Sequence, residues 1–446
     1  MKRLAVSKNH RYLAWDDDAP FFWLGDTAWE LFHRSSLEEA EYYLETRRKQ
    51  GFTLIQAVVL AEFDGLTVPN AYGECPLIGN DPLKPNEAYF RYVDKVIELA
   101  EQKGILLGLL PTWGDKVELL AHGKGPIIFT PENALRYGEW IGKRYCDFWN
   151  LVWINGGDRQ GGGPNRVIWE ALARGIKSSD PNHLMTFHPL GGDGGHSSSE
   201  WFHESDWLDF NLAQSGHERK HHANYRIIDR DYKLTPTKPC LDGEPRYEDH
   251  PVNWKPQELG WFDDYDARQA AYWAVFAGAF GHSYGCHPIW QFSDHRYNPI
   301  GFARRCWRDA LELPGAGQLK YLRNLIESRH MVSRVPDQSM LAEEKSEGSH
   351  RRACRGTGYA FIYLPQGGTV EVNLEPLGER RIHAWWYDPR TGELRHSREG
   401  LATAHAIFEA PSAGPCSDWV LVLDSATKNL PLPGSVPTVS SLAQPH

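Results

Sequence analysis

The sequence lacks the features on which membrane, nucleic-acid-binding and disulfide-stabilised proteins depend. Its longest apolar windows are too short or too polar to span a bilayer, so we expect no membrane partner. The formal net charge is −10 over 446 residues and no run of basic residues occurs, which argues against a nucleic-acid partner. The 7 cysteines form no Cys-x-x-Cys pair, and an odd, dispersed set is typical of reduced thiols in a cytoplasm.

The N-terminus lacks the pattern of a secretory signal. It begins with basic residues, but charged residues interrupt it before an apolar segment of sufficient length forms. We therefore expect a cytoplasmic protein, with secretion as the alternative if a signal has been removed from the chain. No pattern in the sequence predicts an oligomeric state.

Several cofactor and catalytic motifs are also missing. No Gly-x-Gly-x-x-Gly follows the first predicted strand, so the dinucleotide-binding fingerprint is absent. No Gly-x-Ser-x-Gly elbow occurs, and His282-Ser283-Tyr284, which comes nearest, lacks the spacing of a nucleophilic serine. His217 and His221 have the spacing of one helical turn, but there is no His-Glu-x-x-His motif and no third ligand with convincing spacing. We therefore expect neither a metal site nor a cofactor.

Large aromatic residues, by contrast, are abundant. The chain has 18 Trp and 19 Tyr, more than core packing usually needs. Tryptophan rings suit the apolar faces of sugar rings, which indicates a carbohydrate site. A large aromatic core is the alternative interpretation.

Short apolar runs alternate with amphipathic stretches through the first three-quarters of the chain. The runs predict strands at 21–25, 53–60, 105–111, 151–155, 184–188, 210–214, 239–243 and 280–284. The amphipathic stretches predict helices at 36–50, 87–103, 131–147, 165–178, 199–207, 223–233 and 265–279. Strands separated by helices imply parallel pairing, and eight such units favour a closed (β/α)8 barrel over an open doubly wound sheet.

The sequence pattern changes from about Val335 onward. Segments such as "YAFIYLPQGGTVEVNL" and "SDWVLVLD" alternate apolar and polar residues between Gly, Pro and Asp turns, which predicts an antiparallel β-sandwich. The end of the chain is rich in Pro and Ser, which indicates a disordered or draped tail. We therefore predict a catalytic barrel over 1–332, a β-sandwich over 333–426 and a tail over 427–446.

Acidic residues follow three of the predicted barrel strands. Asp26, Asp158 and Glu244 come after strands one, four and seven, and the carboxyl ends of the strands form the active face of a barrel. Glycines next to each acid allow a ligand to approach the backbone closely. Two carboxylates across a barrel mouth are what glycosidic bond cleavage requires, one protonated and one ionised. Asp158 and Glu244 have matched contexts and are the candidate pair.

Further candidate substrate-binding residues follow from their positions. Asp26 either holds a pair of sugar hydroxyls or caps the helix that follows it. Gln56 lies within an apolar strand, where its amide needs a partner that a ligand hydroxyl would supply. Trp113 and Trp290 end strands three and eight, where they either stack on a sugar ring or pack in the core.

The ends of strands five and six add polar candidates. His188 ends strand five, and Gln214 and His217 end strand six. Each histidine either has a structural role or donates a hydrogen bond to substrate or to a catalytic carboxylate.

Six segments identify a family resemblance. They occur in the order "WLGDTAWELFHR", "WINGGD", "FHPLGG", "WLDFNLAQSGH", "CLDGEPRYE" and "GHSYGCHPIW". Together they resemble the DUF4038-type glycoside hydrolases, which contain glycoside hydrolase family 140, the apiosidases, and the resemblance covers nearly the whole chain. The later segment "AWWYDPRTGEL" resembles the C-terminal domain that accompanies this family. Such a domain is sometimes labelled collagen-binding, but nothing in these residues supports collagen.

The resemblance implies that Asp158 is the general acid/base and Glu244 the nucleophile. The large clan of retaining barrel glycosidases also uses the ends of strands four and seven. That clan places an Asn directly before a Glu acid/base, whereas Asn155 here precedes Gly-Gly-Asp. Because aspartate is one methylene shorter than glutamate, the carboxyl separation can exceed what retention requires. We expect retention and keep inversion as the alternative.

The sequence therefore predicts a glycoside hydrolase acting on a short oligosaccharide or a plant glycoside. The resemblance suggests apiose, in plant glycosides or pectin-derived fragments, as the sugar. The alternatives are a barrel glycosidase for another pentoside or a galactoside, and a catalytically silent carbohydrate-binding protein.

Overall fold

The computed structural model describes residues 2–120, 123–192, 194–401 and 403–435. The chain forms two compact units, Met1–Gly317 and Gln318–His446. Their division lies within the helix Pro314–Glu327, whereas the domain boundary that we predicted at 332/333 stays a prediction. No helix in the described ranges is both long and apolar enough to cross a membrane.

The first unit is built on a parallel sheet. Its strands β1 to β8 are Trp23–Thr27, Leu54–Leu60, Leu106–Thr112, Leu151–Gly156, Met185–His188, Asn211–Gln214, Cys240–Glu244 and Gly281–Tyr284. They pair in the order β5-β4-β3-β2-β1-β8-β7-β6, and the short strand His196–Ser197 pairs with β6 in antiparallel orientation. Each predicted barrel strand overlaps one of β1 to β8.

Hydrogen bonds outside the strand ladder nearly close the sheet between β5 and β6. The Asp209 N–H donates to the Met185 carbonyl at 2.8 Å, and the Thr186 hydroxyl donates to the Phe210 carbonyl at 2.7 Å. The predicted (β/α)8 barrel is therefore confirmed. Because parallel strands in a barrel end at one face, the residues after each strand meet around one opening.

Helices follow most of the barrel strands. In the first unit they are Leu31–Arg34, Leu37–Lys49, Glu87–Gln102, Pro131–Tyr145, Arg166–Ser179, Ser199–Phe202, Tyr225–Tyr232, Pro256–Leu259, Asp264–Phe276, His287–Trp290 and Trp307–Ala310. Single 3-10 turns lie at Ile78–Asn80, Gly114–Lys116 and Val252–Trp254. Ahead of the barrel, Leu4–Val6, Leu13–Trp15 and Pro20–Phe21 form a small antiparallel sheet.

Local sequence signals explain where these helices begin and end. Ser36 and Glu39 form the expected capping box, in which each side chain accepts a hydrogen bond from the other residue's backbone N–H. The short helical piece predicted near 199–207 is the helix Ser199–Phe202. Ser205 and Asp206 follow within one turn, and both residue types favour turns over helix interiors.

The second unit contains two antiparallel sheets. The six-stranded sheet has the order Val335–Pro336, Arg352–Gly356, Tyr359–Leu364, Trp419–Ser425, Arg381–Tyr387 and Leu394–Leu401, and the other pairs Gly367–Asn373 with His405–Ala413. Short 3-10 turns lie at Met331–Ser333, Gln338–Met340, Glu347–Ser349 and Glu375–Leu377. Apolar residues of both sheets form one buried cluster, which includes Ile362, Leu421, Val370 and Phe408. The β-sandwich prediction is thereby confirmed.

The predicted tail is described only in part. Residues 436–446 lie outside the described residues. In the preceding stretch, the Pro431 carbonyl accepts a hydrogen bond from the Arg329 guanidinium at 2.9 Å, and the Gly434 N–H donates to the Ser328 hydroxyl at 3.0 Å. This stretch is therefore draped on the second unit.

Candidate active site

A pocket of about 570 Å³ lies at the carboxyl ends of the barrel strands. This volume is within the range of small-ligand sites. Its aromatic lining consists of Trp29, Phe63, Trp113, Tyr247, Trp254, Trp290 and Phe302. Its acidic lining consists of Glu62, Asp158, Glu218 and Glu244, and no described lining residue is Lys or Arg. The pocket therefore combines apolar rings with carboxyl groups, which suits a neutral polyhydroxylated ligand.

The turn after β4 explains why two glycines precede Asp158. Gly156 has φ 92°, Gly157 has φ 109° and Asp158 itself has φ 51°, so the chain turns sharply in the left-handed region. A Cβ on Gly156 would lie 2.4 Å from the His188 carbonyl oxygen, and one on Gly157 would lie 2.8 Å from the Trp113 ring. Only glycine fits both positions, and the turn places the Asp158 carboxyl in the pocket lining.

Glu244 lies at the end of β7 between two histidines. His217 Nε2 donates a hydrogen bond to Glu244 Oε1 at 3.0 Å, and His188 Nε2 lies 2.9 Å from Oε2. Burial alone would raise the pKa of Glu244, but the hydrogen bonds and charges of His188 and His217 outweigh it and lower the pKa to about 2. The Glu244 carboxyl is therefore held ionised.

Asp158 has the opposite electrostatic environment. Burial and the negative charge of Glu244 raise the pKa of Asp158 to about 6, against a smaller effect of His188. Its side chain stays 35% exposed to the pocket, while Oδ1 lies 3.9 Å from His188 Nδ1. One oxygen of Asp158 and one of Glu244 lie within 4.8 Å of each other. Two carboxyls at this separation with pKa values shifted apart suit an acid and a nucleophile.

Several buried polar atoms of the pocket lack a hydrogen-bond partner among the described residues. They are Asp158 Oδ1, Gln214 Oε1 and His217 Nδ1. Buried polar groups in native proteins are almost always hydrogen-bonded, so these atoms are suited to the hydroxyls of a bound ligand.

Most of the predicted site residues meet at this pocket. Trp113, Gln214, His217 and Trp290 line it together with the two acids, and His188 is fully buried beneath them. The backbone register contributes, because Gln214 pairs with Glu244 between β6 and β7, and Gly156 pairs with His188 between β4 and β5.

Asp26 is a correction to the sequence-based expectation. It neither lines the pocket nor caps a helix, but is fully buried and accepts hydrogen bonds from the Arg47 guanidinium at 2.6 Å and the Tyr43 hydroxyl at 2.5 Å. Both partners belong to the helix Leu37–Lys49. The side chain therefore faces the surrounding helices, where it anchors one of them to β1.

Gln56 is a second correction. Its side-chain amide donates to the Gly243 carbonyl at 3.0 Å and to the Thr27 hydroxyl at 3.4 Å, inside the barrel. It is fully buried and absent from the pocket lining. The amide nitrogen is thus paired with the backbone residue before Glu244, whereas Gln56 Oε1 has no hydrogen-bond partner among the described residues.

The sequence analysis missed part of the lining. Glu62 follows β2 by two residues, and the rule that selected Asp158 would have identified it. Trp254 and Phe302 lie on long irregular connections, where no periodic signal exists. Only the fold brings these residues to the pocket.

One group of described side chains is close enough together to hold a metal ion, and it includes both acids. One atom each of Asp158, His188 and Glu244 lie within 4.8 Å of one another. The His188 and Glu244 atoms are already paired with each other at 2.9 Å, a contact that a metal ion would have to replace. Our expectation of no metal stays a prediction.

Comparison with known proteins identifies the family. Residues 7–333 match the family model described as "Apiosidase-like, catalytic domain". The chain belongs to this apiosidase-like family. Residues 335–424 match the model described as "Putative collagen-binding domain of a collagenase". A search of curated proteins found no match.

Solved structures agree with the apiosidase-like assignment. A structure titled "Glycoside hydrolase" is 35% identical, covers 96% of this chain and 98% of its own, and has a TM-score of 0.89. A glycoside hydrolase family 5 protein from Bacteroides vulgatus is 33% identical, covers 97% of this chain and 95% of its own, and also has a TM-score of 0.89. The prediction that this apiosidase-like protein is a glycoside hydrolase is confirmed.

Proposed function

We propose that this glycoside hydrolase releases apiose from a plant glycoside or a pectin-derived fragment, with Asp158 as general acid/base and Glu244 as nucleophile. The observation that carries the assignment is the opposite environment of two carboxyls within 4.8 Å. Glu244 is held ionised by two histidines, whereas burial and the charge of Glu244 raise the pKa of Asp158 to about 6, so that Asp158 carries its proton at mildly acidic pH. A protonated acid and an ionised nucleophile on either side of one bond are what the first chemical step requires.

In the first step, a carboxylate oxygen of Glu244 attacks the anomeric carbon and forms a glycosyl ester. The bond to the leaving oxygen breaks, and that oxygen takes the proton from Asp158. In the second step the Asp158 carboxylate removes a proton from water, the water oxygen attacks the anomeric carbon, and the ester bond to Glu244 breaks. Both residues return to their starting protonation states.

The carboxyl separation favours net retention of configuration. Retaining enzymes hold the two carboxyls about 5–5.5 Å apart, whereas inverting enzymes need about 6.5–9.5 Å to place a water between them. The closest oxygens of Asp158 and Glu244 lie within 4.8 Å, so the shorter aspartate does not open the inverting distance.

The choice of sugar is tested by product analysis on a panel of glycosides. We expect wild-type protein to release free apiose from apiin-like flavone glycosides and apiose-containing pectic fragments faster than it cleaves arabinofuranosides or galactosides. Initial products observed by NMR should keep the anomeric configuration of the substrate. If the protein cleaves another pentoside or a galactoside and leaves the apiosides uncleaved, the choice of apiose is contradicted. Products of inverted configuration would contradict retention. Glu244→Gln serves as the inactive control.

The protonation states predict how activity depends on pH. Because Asp158 must be protonated in the first step, kcat/KM should fall about tenfold per pH unit above the pKa of about 6. Glu244 stays ionised above its pKa of about 2, so no acidic limb should arise from it between pH 3 and pH 6.

Steady-state kinetics from pH 3 to pH 9, with circular dichroism to confirm the folded state, provide the measurement. A profile for a poor leaving group that is flat up to pH 8 would contradict the assignment of the acid. A substrate with an acidic aglycone is the control, since it needs no protonation and should lose the basic limb.

A further inference from the structure

Glu62 lines the same pocket and has no part in the two chemical steps. It lies on the connection after β2, next to Phe63, whose ring stacks with that of Trp290 at a centroid distance of 6.4 Å. Phe63 has φ 55°, a left-handed turn that brings two adjacent residues of this connection into the lining. Glu62 thus places a carboxyl beside an aromatic wall.

The Glu62 carboxyl has no hydrogen-bond or ion-pair partner among the described residues. The nearby cations are committed elsewhere. The Lys116 ammonium contacts Asp115 at 2.9 Å and donates to the Phe63 carbonyl at 3.3 Å. The Arg159 guanidinium, which interacts with Glu62 only through its charge, donates to the Glu118 and Asp158 carbonyls at 2.9 and 2.7 Å. A partly buried carboxyl without a protein partner is suited to a ligand group that can both donate and accept.

The surrounding charges favour the neutral form of Glu62. Burial, together with the negative charges of Glu30 and Asp158, raises its pKa well above the ordinary value. An un-ionised carboxyl donates one hydrogen bond and accepts another, which matches a sugar hydroxyl. It also avoids adding a further negative charge beside Glu244.

We propose that Glu62 is a substrate-binding residue that exchanges hydrogen bonds with a hydroxyl of the sugar whose linkage is cleaved. The inference rests on the proposed function, because it takes the pocket as the place of that sugar. With four acids and no Lys or Arg in the described lining, the sugar in this position is neutral, and a uronic acid is excluded from it.

Three variants test this role. Glu62→Ala should raise KM by at least about tenfold, because one hydroxyl of the substrate loses its partner in a desolvated site. The effect should be the same for good and poor leaving groups, since Glu62 takes no part in proton transfer. Glu62→Gln should restore KM to within about threefold of wild type, because an amide also donates and accepts.

Asp64→Asn is the matched control. Asp64 lies two residues further on the same connection, outside the pocket lining, and forms an ion pair with Lys124 at 3.7 Å. Its replacement removes a carboxyl from the same connection and should leave KM unchanged. Thermal melting of all variants checks that each is folded.

The outcomes separate this inference from the proposed function. A KM for Glu62→Ala within twofold of wild type would overturn the role, and equal losses for Glu62→Gln and Glu62→Ala would overturn the neutral hydrogen-bonding form. If wild type cleaves no glycoside, the proposed function fails. Calorimetry of apiose binding to wild type and to Glu62→Ala then tests the role of Glu62 without any need for activity. A weaker affinity of the variant supports the role, and an equal affinity contradicts it.

Discussion

Replacement of Glu244 by Ala is expected to lower kcat/KM by at least about a thousandfold, since a covalent nucleophile has no substitute in the pocket. The methyl group cannot attack the anomeric carbon, so the glycosyl ester does not form. His188 and His217 keep their positions on β5 and after β6, but lose the carboxylate between them. Steady-state kinetics on an apioside that wild type cleaves provide the measurement.

Azide distinguishes the nucleophile from other causes of lost activity. In Glu244→Ala, azide should attack the anomeric carbon from the vacated side and release the aglycone, giving a glycosyl azide of inverted configuration. Glu258→Ala is the control, because Glu258 lies on the connection after β7 and is 70% exposed. A Glu244→Ala rate within tenfold of wild type would show that Glu244 is not the nucleophile.

The catalytic candidates were predicted from the rule that acids directly after barrel strands lie at the active face. This rule depends only on local features of the chain. An apolar strand such as β4 is easily recognised in the sequence. An acid that directly follows it lies at the face of the barrel formed by the carboxyl ends of the strands. The two glycines before Asp158 mark a turn that other residues cannot adopt. These features are local, so they could be identified without knowing what the strand packs against.

Asp26 and Gln56 show what such local features leave open. Both lie inside strands, so the side of the strand on which each side chain lies decides its role. Asp26 faces Arg47 on the following helix, and Gln56 faces Gly243 on β7 across the barrel. Neither partner is marked by sequence spacing, because tertiary packing alone brings it into contact.

The histidines beside Glu244 make contacts that their spacing in the sequence does not predict. His188 and His217 were expected at the strand ends, but their joint contact with both oxygens of one carboxylate follows from the register of β5 to β7. That contact determines which of the two acids is ionised. The proposed distinction between acid and nucleophile therefore depends on packing, although both acids can be found in the sequence.

Replacement of Asp158 by Ala should produce a loss that depends on the leaving group. For glycosides with alkyl or sugar aglycones we expect kcat/KM to fall by about a thousandfold or more, because the departing oxygen has no proton donor. For aryl glycosides with acidic phenols the loss should shrink to about tenfold or less, since these oxygens leave without protonation. A plot of log(kcat/KM) against the phenol pKa should therefore be steeper for Asp158→Ala than for wild type.

The comparison with Glu244→Ala makes the test specific. Glu244→Ala should lose activity on every aglycone, whereas Asp158→Ala with azide should yield a glycosyl azide of retained configuration. In that reaction azide replaces water in the second step, where Asp158 is no longer present to activate it. Asp158→Asn keeps the size of the side chain and should behave like Asp158→Ala, which separates the loss of the proton from the loss of packing. Equal losses on good and poor leaving groups would contradict the acid/base role and return the assignment to the other carboxyls of the pocket.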